Sequence, residues 1–122
     1  MKSLLIIGSA FAALSVLLGA FGAHGLKNRL SMEDLAIFET AVRYQMYHAL
    51  GILLMGLASF DLNGKLVSTP AYFLILGIII FSGSLFLLVF TNSRWFGAIT
   101  PIGGLCLIIG WLLFAYNIYF HA

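Results

Sequence analysis

Residues 70–91 read PAYFLILGIIIFSGSLFLLVFT, an uninterrupted apolar run without a charged side chain. The hydrocarbon core of a bilayer is about 30 Å thick and an α-helix rises about 1.5 Å per residue, so roughly 20 apolar residues cross it once. A membrane-spanning β-strand would instead alternate apolar and polar residues. The run therefore predicts a transmembrane α-helix.

Three other segments have similar length and character. Because the connections between them are short, consecutive helices are expected to lie antiparallel. The sequence thus predicts an all-α fold, a membrane-embedded four-transmembrane-helix bundle in a single domain, residues 1–122. The second helix is expected to have an interfacial extension at its start and to enter the membrane near Ala41. The expected helices cover residues 3–23, 32–60, 70–91 and 100–120.

The overall composition agrees with this fold and excludes several classes of protein. Hydrophobic residues make up 62% of the chain and charged residues 8%, with a mean hydropathy of +1.10, whereas soluble domains carry roughly 25% charged residues. The net charge of +2 comes from scattered single residues, which argues against a nucleic-acid partner. Cys106 is the only cysteine, so an internal disulfide and a cysteine zinc site are excluded, and no cofactor is expected.

Turn and capping residues mark where the helices begin. Residues 31–34, Ser-Met-Glu-Asp, form a capping signal that predicts the start of helix two near Met32. The Asn63-Gly64 pair predicts the turn before helix three. A threonine followed by a proline occurs at residues 69–70 and again at residues 100–101. This pair predicts an N-cap and a first-turn proline for helices three and four.

The N-terminal segment has two interpretations. Lys2, an apolar stretch and the small residues near position 22 resemble a secretory signal peptide. The apolar stretch is nearer 20 residues than the usual 7–15 of a signal core, which favours an uncleaved helix one.

The positively charged residues predict the orientation in the membrane. Lysines and arginines in short loops favour the cytoplasm. The first and third connections hold Lys27, Arg29 and Arg94, while the opposite side holds Lys2 and Lys65. Both termini are therefore expected outside.

Small residues recur at helical spacing in every predicted helix. Such residues mark faces where helix backbones approach closely. They indicate a tightly packed bundle, and their number indicates a homo-oligomer as well. The residues are Gly8, Ala12, Ser15, Gly19 and Gly22 in helix one; Gly51 and Ala58 in helix two; Gly77, Ser84 and Thr91 in helix three; and Gly103 and Gly110 in helix four.

The densest polar cluster, residues 39–48, lies where helix two enters the membrane and reads ETAVRYQMYH. Polar and charged residues at membrane depth are costly and indicate a functional site by default. Glu39 and Arg43 are four residues apart and can form an ion pair on one helix face. Successive residues turn by about 100°, so Tyr44, Gln45 and His48 point to the opposite side.

His24 ends helix one, and a hairpin would bring it to the same membrane face as the cluster. Two histidines and a carboxylate could bind a divalent metal or relay protons. Interfacial histidines that bond loop carbonyls are the alternative that the sequence favours, so no metal site is expected. The candidate ligand-binding residues are His24, Glu39, Arg43, Tyr44, Gln45 and His48.

Four stretches in order resemble the bacterial domain-of-unknown-function 423 family of small inner-membrane proteins. They are GAFGAHGL at residues 19–26, TAVRYQMYHAL at 40–50, FSGSL at 81–85 and GAITPIGG at 97–104. The resemblance covers nearly the whole chain. It implies a multi-pass protein of the plasma (inner) membrane, for which roles in membrane stability have been suggested in some members. No enzymatic activity is established for the family.

Three hypotheses follow from these observations. The first is a non-enzymatic membrane protein that contributes to membrane stability or scaffolding, with membrane lipids and further copies of itself as partners. The second is a small transporter or channel, which is disfavoured because every acidic residue lies near a helix edge. The third is a lipid-head-group-binding or enzymatic site at the mouth of helices one and two.

Overall fold

The computed structural model describes residues 1–122 and contains four long helices and no strand. The predicted all-α fold with four helices is therefore confirmed. A π-helical turn, Gly22–Leu26, extends the first helix, and a 3-10 segment, Arg94–Ala98, precedes the fourth. The long helices are α1 (Lys2–Phe21), α2 (Met32–Ala58), α3 (Gly64–Thr91) and α4 (Thr100–His121).

The helices pack in chain order, with α1 on α2, α2 on α3 and α3 on α4. Helices α2 and α3 are thus central, while α1 and α4 lie at the edges. Three stretches are long and apolar enough to cross a membrane: Lys2–Leu26, Gly64–Thr91 and Arg94–His121. The less apolar α2 lies between two of these. Buried side chains from all four helices form one core: Leu4, Ile52, Met55, Val67, Ala71, Leu74, Ile78 and Leu107.

The small residues lie where helices of the same chain meet. A Cβ atom on Gly22 would lie 2.5 Å from Cε1 of Phe38 in α2, and one on Gly103 would lie 2.7 Å from the Cα of Phe81 in α3. Atoms that are not bonded to each other do not approach this closely, so these helices pack through their glycines. The close packing is confirmed. Most glycines of the predicted helix faces meet another helix of the same chain, so they do not by themselves indicate a homo-oligomer; these are Gly8, Gly22, Gly51, Gly77, Gly103 and Gly110.

The start of α2 agrees with the prediction. The Ser31 side chain accepts a 3.1 Å hydrogen bond from the backbone N–H of Asp34. This is the capping geometry that the Ser-Met-Glu-Asp signal indicates.

The predicted start of helix three at residues 69–70 is wrong. α3 begins at Gly64, and the Asn63 side chain caps it by accepting a 3.0 Å hydrogen bond from the Lys65 N–H. Pro70 consequently lies inside the helix, where it cannot donate to the carbonyl four residues earlier. That carbonyl, on Leu66, receives a 3.0 Å hydrogen bond from Asn117 of α4 instead.

The predicted start of helix four is half right. Pro101 lies in the first turn of α4, as expected. Thr100 does not act as the N-cap, because it is already helical and its hydroxyl donates to the carbonyl of Phe96 at 3.3 Å.

Candidate functional site

Glu39 and Arg43 lie on one face of α2 and form the predicted ion pair, with 3.7 Å between Oε2 and Nη2. Their side chains are 52% and 63% exposed, respectively. Together with Gly19 of α1 and Gly22 of the π-helical turn, they line an open groove of about 300 Å³. The bare glycine backbone leaves room for the groove, which holds one acid and one base side by side.

Gln45 points away from this groove into the protein. It is 3% exposed, and its Nε2 donates a 3.2 Å hydrogen bond to the carbonyl of Phe11 in α1. Its side chain therefore links two helices and does not face a ligand.

His48 is also buried, at 7% exposure, and its surroundings are aromatic. Its Nδ1 lies 2.7 Å from the carbonyl of Tyr44, one turn earlier in α2. Because a carbonyl only accepts, Nδ1 carries the proton. The imidazole stacks beside Tyr44, with 6.1 Å between ring centroids, and packs near Trp111 of α4 at 5.9 Å. Tyr44 in turn contacts Phe81 of α3.

His24 is exposed in the π-helical turn, and its side chain forms no hydrogen bond or ion pair. The six predicted site residues thus fall into separate places: the Glu39–Arg43 groove, the interior at Gln45, the aromatic cluster around His48 and Tyr44, and the surface at His24. No group of three or more His, Cys, Asp or Glu side chains is positioned to hold a metal ion.

An ion pair that the sequence did not reveal joins the start of α2 to the segment before α4. Arg94 donates from Nη1 to Oδ1 of Asp34 at 2.8 Å and from Nη2 to Oδ2 at 3.2 Å. Arg94 also donates to Oδ1 of Asn92 at 2.7 Å. The hydrogen bond from Arg94 lowers the pKa of Asp34 below its usual value. The only hint in the sequence was that both connections were expected on the same membrane side.

Hydroxyl groups make two further links between helices. Ser82 of α3, which is 1% exposed, donates to the carbonyl of Ala41 in α2 at 2.7 Å. Ser84 of α3 and Thr100 of α4 lie 2.6 Å apart through their hydroxyl oxygens. No buried side-chain nitrogen or oxygen lacks a hydrogen-bond partner. Gln45, Ser82 and Ser84 therefore link neighbouring helices, whereas the buried Ser15 and His48 bond to carbonyls of their own helices.

Comparison with known proteins agrees with this membrane architecture. Residues 18–104 match the family described as protein of unknown function (DUF423). A UPF0382 membrane protein of Staphylococcus saprophyticus is 48% identical over 93% of each chain. The UPF0382 membrane protein YwdK of Bacillus subtilis is 43% identical, again over 93% of each chain. No solved structure matches the chain. The resemblance seen in the sequence is thereby confirmed: this membrane protein belongs to the DUF423 family.

Proposed function

We propose that this protein is a non-enzymatic component of the plasma membrane that crosses the bilayer four times and helps to stabilise it. The observation that carries the proposal is the use of the interior polar side chains. Gln45, Ser82 and Asn117 each donate to a backbone carbonyl of a neighbouring helix. Ionisable side chains at membrane depth usually mark a functional site, whereas amide and hydroxyl side chains commonly hydrogen-bond across helices, as these three do.

The dimensions of α2 support a fourth crossing. Its 27 residues correspond to a length of roughly 40 Å, which exceeds the hydrocarbon thickness of about 30 Å. It packs along α1 and α3, both of which are apolar enough to cross. Its most polar groups are accommodated by the bundle, because Gln45 and His48 are buried and Arg43 has Glu39 beside it.

Self-association remains part of the proposal, through the outer faces of the edge helices. Few residues of the edge helices are buried: 17% in the most apolar part of α1 and 17% in that of α4, against 44% for α3. The outer faces carry large exposed side chains such as Leu17 and Ile108. A scaffold made of several copies would use these faces, since the glycine faces are filled from within the chain.

A head-group site in the Glu39–Arg43 groove is the second candidate. An acid beside a base complements a zwitterionic lipid head group, and the groove of about 300 Å³ gives access to both. Bound phosphatidylethanolamine that is retained by the wild type and lost in Arg43→Ala would support it. Equal retention by the two proteins would count against it.

The proposed function is tested with purified protein in sealed liposomes that contain a trapped dye. Liposomes with the wild-type protein are expected to leak more slowly under hypo-osmotic shock than protein-free liposomes. The matched variant Glu39→Gln should slow dye leakage equally well, because the proposed stabilisation of the bilayer does not need a titrating carboxylate. Protein-dependent proton or cation flux that is lost in Glu39→Gln would contradict the proposal and support a transporter.

A further inference from the structure

A second pocket lies at the opposite end of the helices from the Glu39–Arg43 groove. It occupies about 510 Å³ between the start of α3 and the end of α4. Two leucines line its apolar side, Leu66 and Leu113. Its other lining residues are all polar, namely Asn63, Lys65, Thr69, Asn117 and His121.

Two polar side chains of this pocket, Lys65 and Asn63, have donors without partners, whereas the Asn117 amide is bonded to the Leu66 carbonyl. The two ion pairs of the protein use Arg43 and Arg94, so Lys65 has no acidic partner. Asn63 uses its side-chain oxygen to cap α3, which leaves its amide N–H groups free. The lining contains no carboxylate. A pocket with cationic and neutral donors, and without an acid, fits an anionic acceptor such as a phosphate group.

The position of the pocket in the chain places it at an end of the bundle that carries exposed aromatic side chains, which indicates the level of the lipid phosphates. Exposed aromatic side chains surround this end of the bundle, as is typical of the interface between head groups and hydrocarbon. The two leucines on the apolar side of the pocket would contact the first part of the lipid acyl chains. The exposed aromatic residues are Phe60, Tyr72, Tyr116, Tyr119 and Phe120.

We propose that this α3–α4 pocket binds the phosphate of an anionic phospholipid, with Lys65 as its main charged contact. An anionic lipid is favoured over a zwitterionic one, because the pocket offers no acid to a choline or ethanolamine group. The inference goes beyond the proposed function, since a membrane-stabilising protein need not select a lipid.

The proposal is tested by native mass spectrometry of the full chain in detergent with added phosphatidylglycerol or phosphatidylcholine. The wild type is expected to bind phosphatidylglycerol more tightly. Lys65→Gln should weaken that binding roughly fivefold, the usual contribution of one lysine near an anionic surface. Lys2→Gln is the matched control, because Lys2 is an exposed cation at the same end of the bundle but outside the pocket. It should leave the affinity unchanged.

Thr69→Val gives an independent check, because it keeps the side-chain shape and removes one donor. It should weaken phosphatidylglycerol binding without lowering the melting temperature, since the Thr69 side chain is exposed and its hydroxyl forms no hydrogen bond within the protein. Equal effects of Lys65→Gln and Lys2→Gln, or no effect of Lys65→Gln, would overturn the proposal. If inorganic phosphate does not displace phosphatidylglycerol, the result supports a lipid ligand. If inorganic phosphate displaces it fully, the pocket binds free phosphate and the lipid proposal is overturned.

Discussion

The side-chain amide of Asn117 in α4 donates a 3.0 Å hydrogen bond to the backbone carbonyl of Leu66 in α3. In an uninterrupted helix that carbonyl would accept from the N–H of residue 70. Residue 70 is a buried proline and has no N–H to offer. α4 therefore supplies the donor that α3 lacks, and the two helices are linked at the point where the hydrogen bonding of α3 is interrupted.

This relationship predicts a coupling between Asn117 and Pro70. Asn117→Leu should lower the free energy of unfolding by roughly 1 kcal/mol, the usual size of a hydrogen bond between membrane helices. In a Pro70→Ala background the backbone N–H of residue 70 can donate to the Leu66 carbonyl. Asn117→Leu should then lower the free energy of unfolding clearly less. The measurement is a double-mutant cycle of unfolding by SDS in mixed micelles. Strictly additive effects of the two substitutions on the free energy of unfolding would show that Asn117 does not replace the donor that Pro70 lacks.

Gly103 and Gly104 form a matched pair for the packing of α3 against α4. A Cβ on Gly103 would lie 2.7 Å from the Cα of Phe81, whereas one on Gly104 would lie 3.7 Å from the Phe81 ring. Gly103→Ala should therefore destabilise the protein by about 1–3 kcal/mol through overpacking. Gly104→Ala should be neutral or slightly stabilising, because alanine favours a helix. Similar unfolding midpoints for the two variants would show that the helices do not approach closely at Gly103.

The Asp34–Arg94 pair predicts a dependence of stability on acid pH. The pKa of Asp34 is lower in the folded protein than its ordinary value of 3.8. Its stabilising effect is therefore complete at neutral pH and disappears as the pH falls below about 4, through the folded pKa. The wild type should lose melting temperature between pH 7 and pH 3 in a non-ionic detergent, and Asp34→Asn should lose less. Glu39→Gln serves as the control, since its pair with Arg43 is longer and exposed. An equal loss in wild type and Asp34→Asn would refute the expectation.

The four crossings that we propose predict which connections share a side of the membrane. With α2 crossing, the α1–α2 connection and the α2–α3 connection lie on opposite sides. In a Cys106→Ala background, Asn63→Cys should react with an impermeant maleimide in intact cells, and Asn28→Cys only after permeabilisation. If Asn28→Cys reacted in intact cells and Asn63→Cys only after permeabilisation, α2 would still cross the membrane, but both termini would lie inside. Identical labelling of both positions would show that α2 does not cross.

Most of the helical architecture could be predicted, because the signals are local. Apolar length predicted four long helices, Ser31 predicted the start of α2, and the spacing of Glu39 and Arg43 predicted their ion pair. The start of α3 could not be predicted from the same kind of signal. A proline next to a threonine resembles a helix start, and the donor that lets Pro70 sit inside the helix lies on α4, 51 residues beyond Leu66.

The candidate site was less predictable than the fold, because it depends on which helices meet. Spacing placed Gln45 and His48 on the side opposite Arg43, as found, but only the packing reveals that Gln45 bonds α1 and that His48 packs near Trp111. The Asp34–Arg94 pair joins residues 60 positions apart, which no local pattern specifies.

The central claim is that the protein supports the membrane through its packed helices and not through the chemistry of a titrating side chain. It is tested most directly by propidium iodide uptake under mild membrane stress in cells that lack the gene. Wild type, Glu39→Gln and His48→Gln are expected to restore low uptake, whereas Gly103→Leu should not, because it forces α4 away from Phe81. Normal folding of Glu39→Gln or His48→Gln together with failure to restore low uptake would contradict the claim.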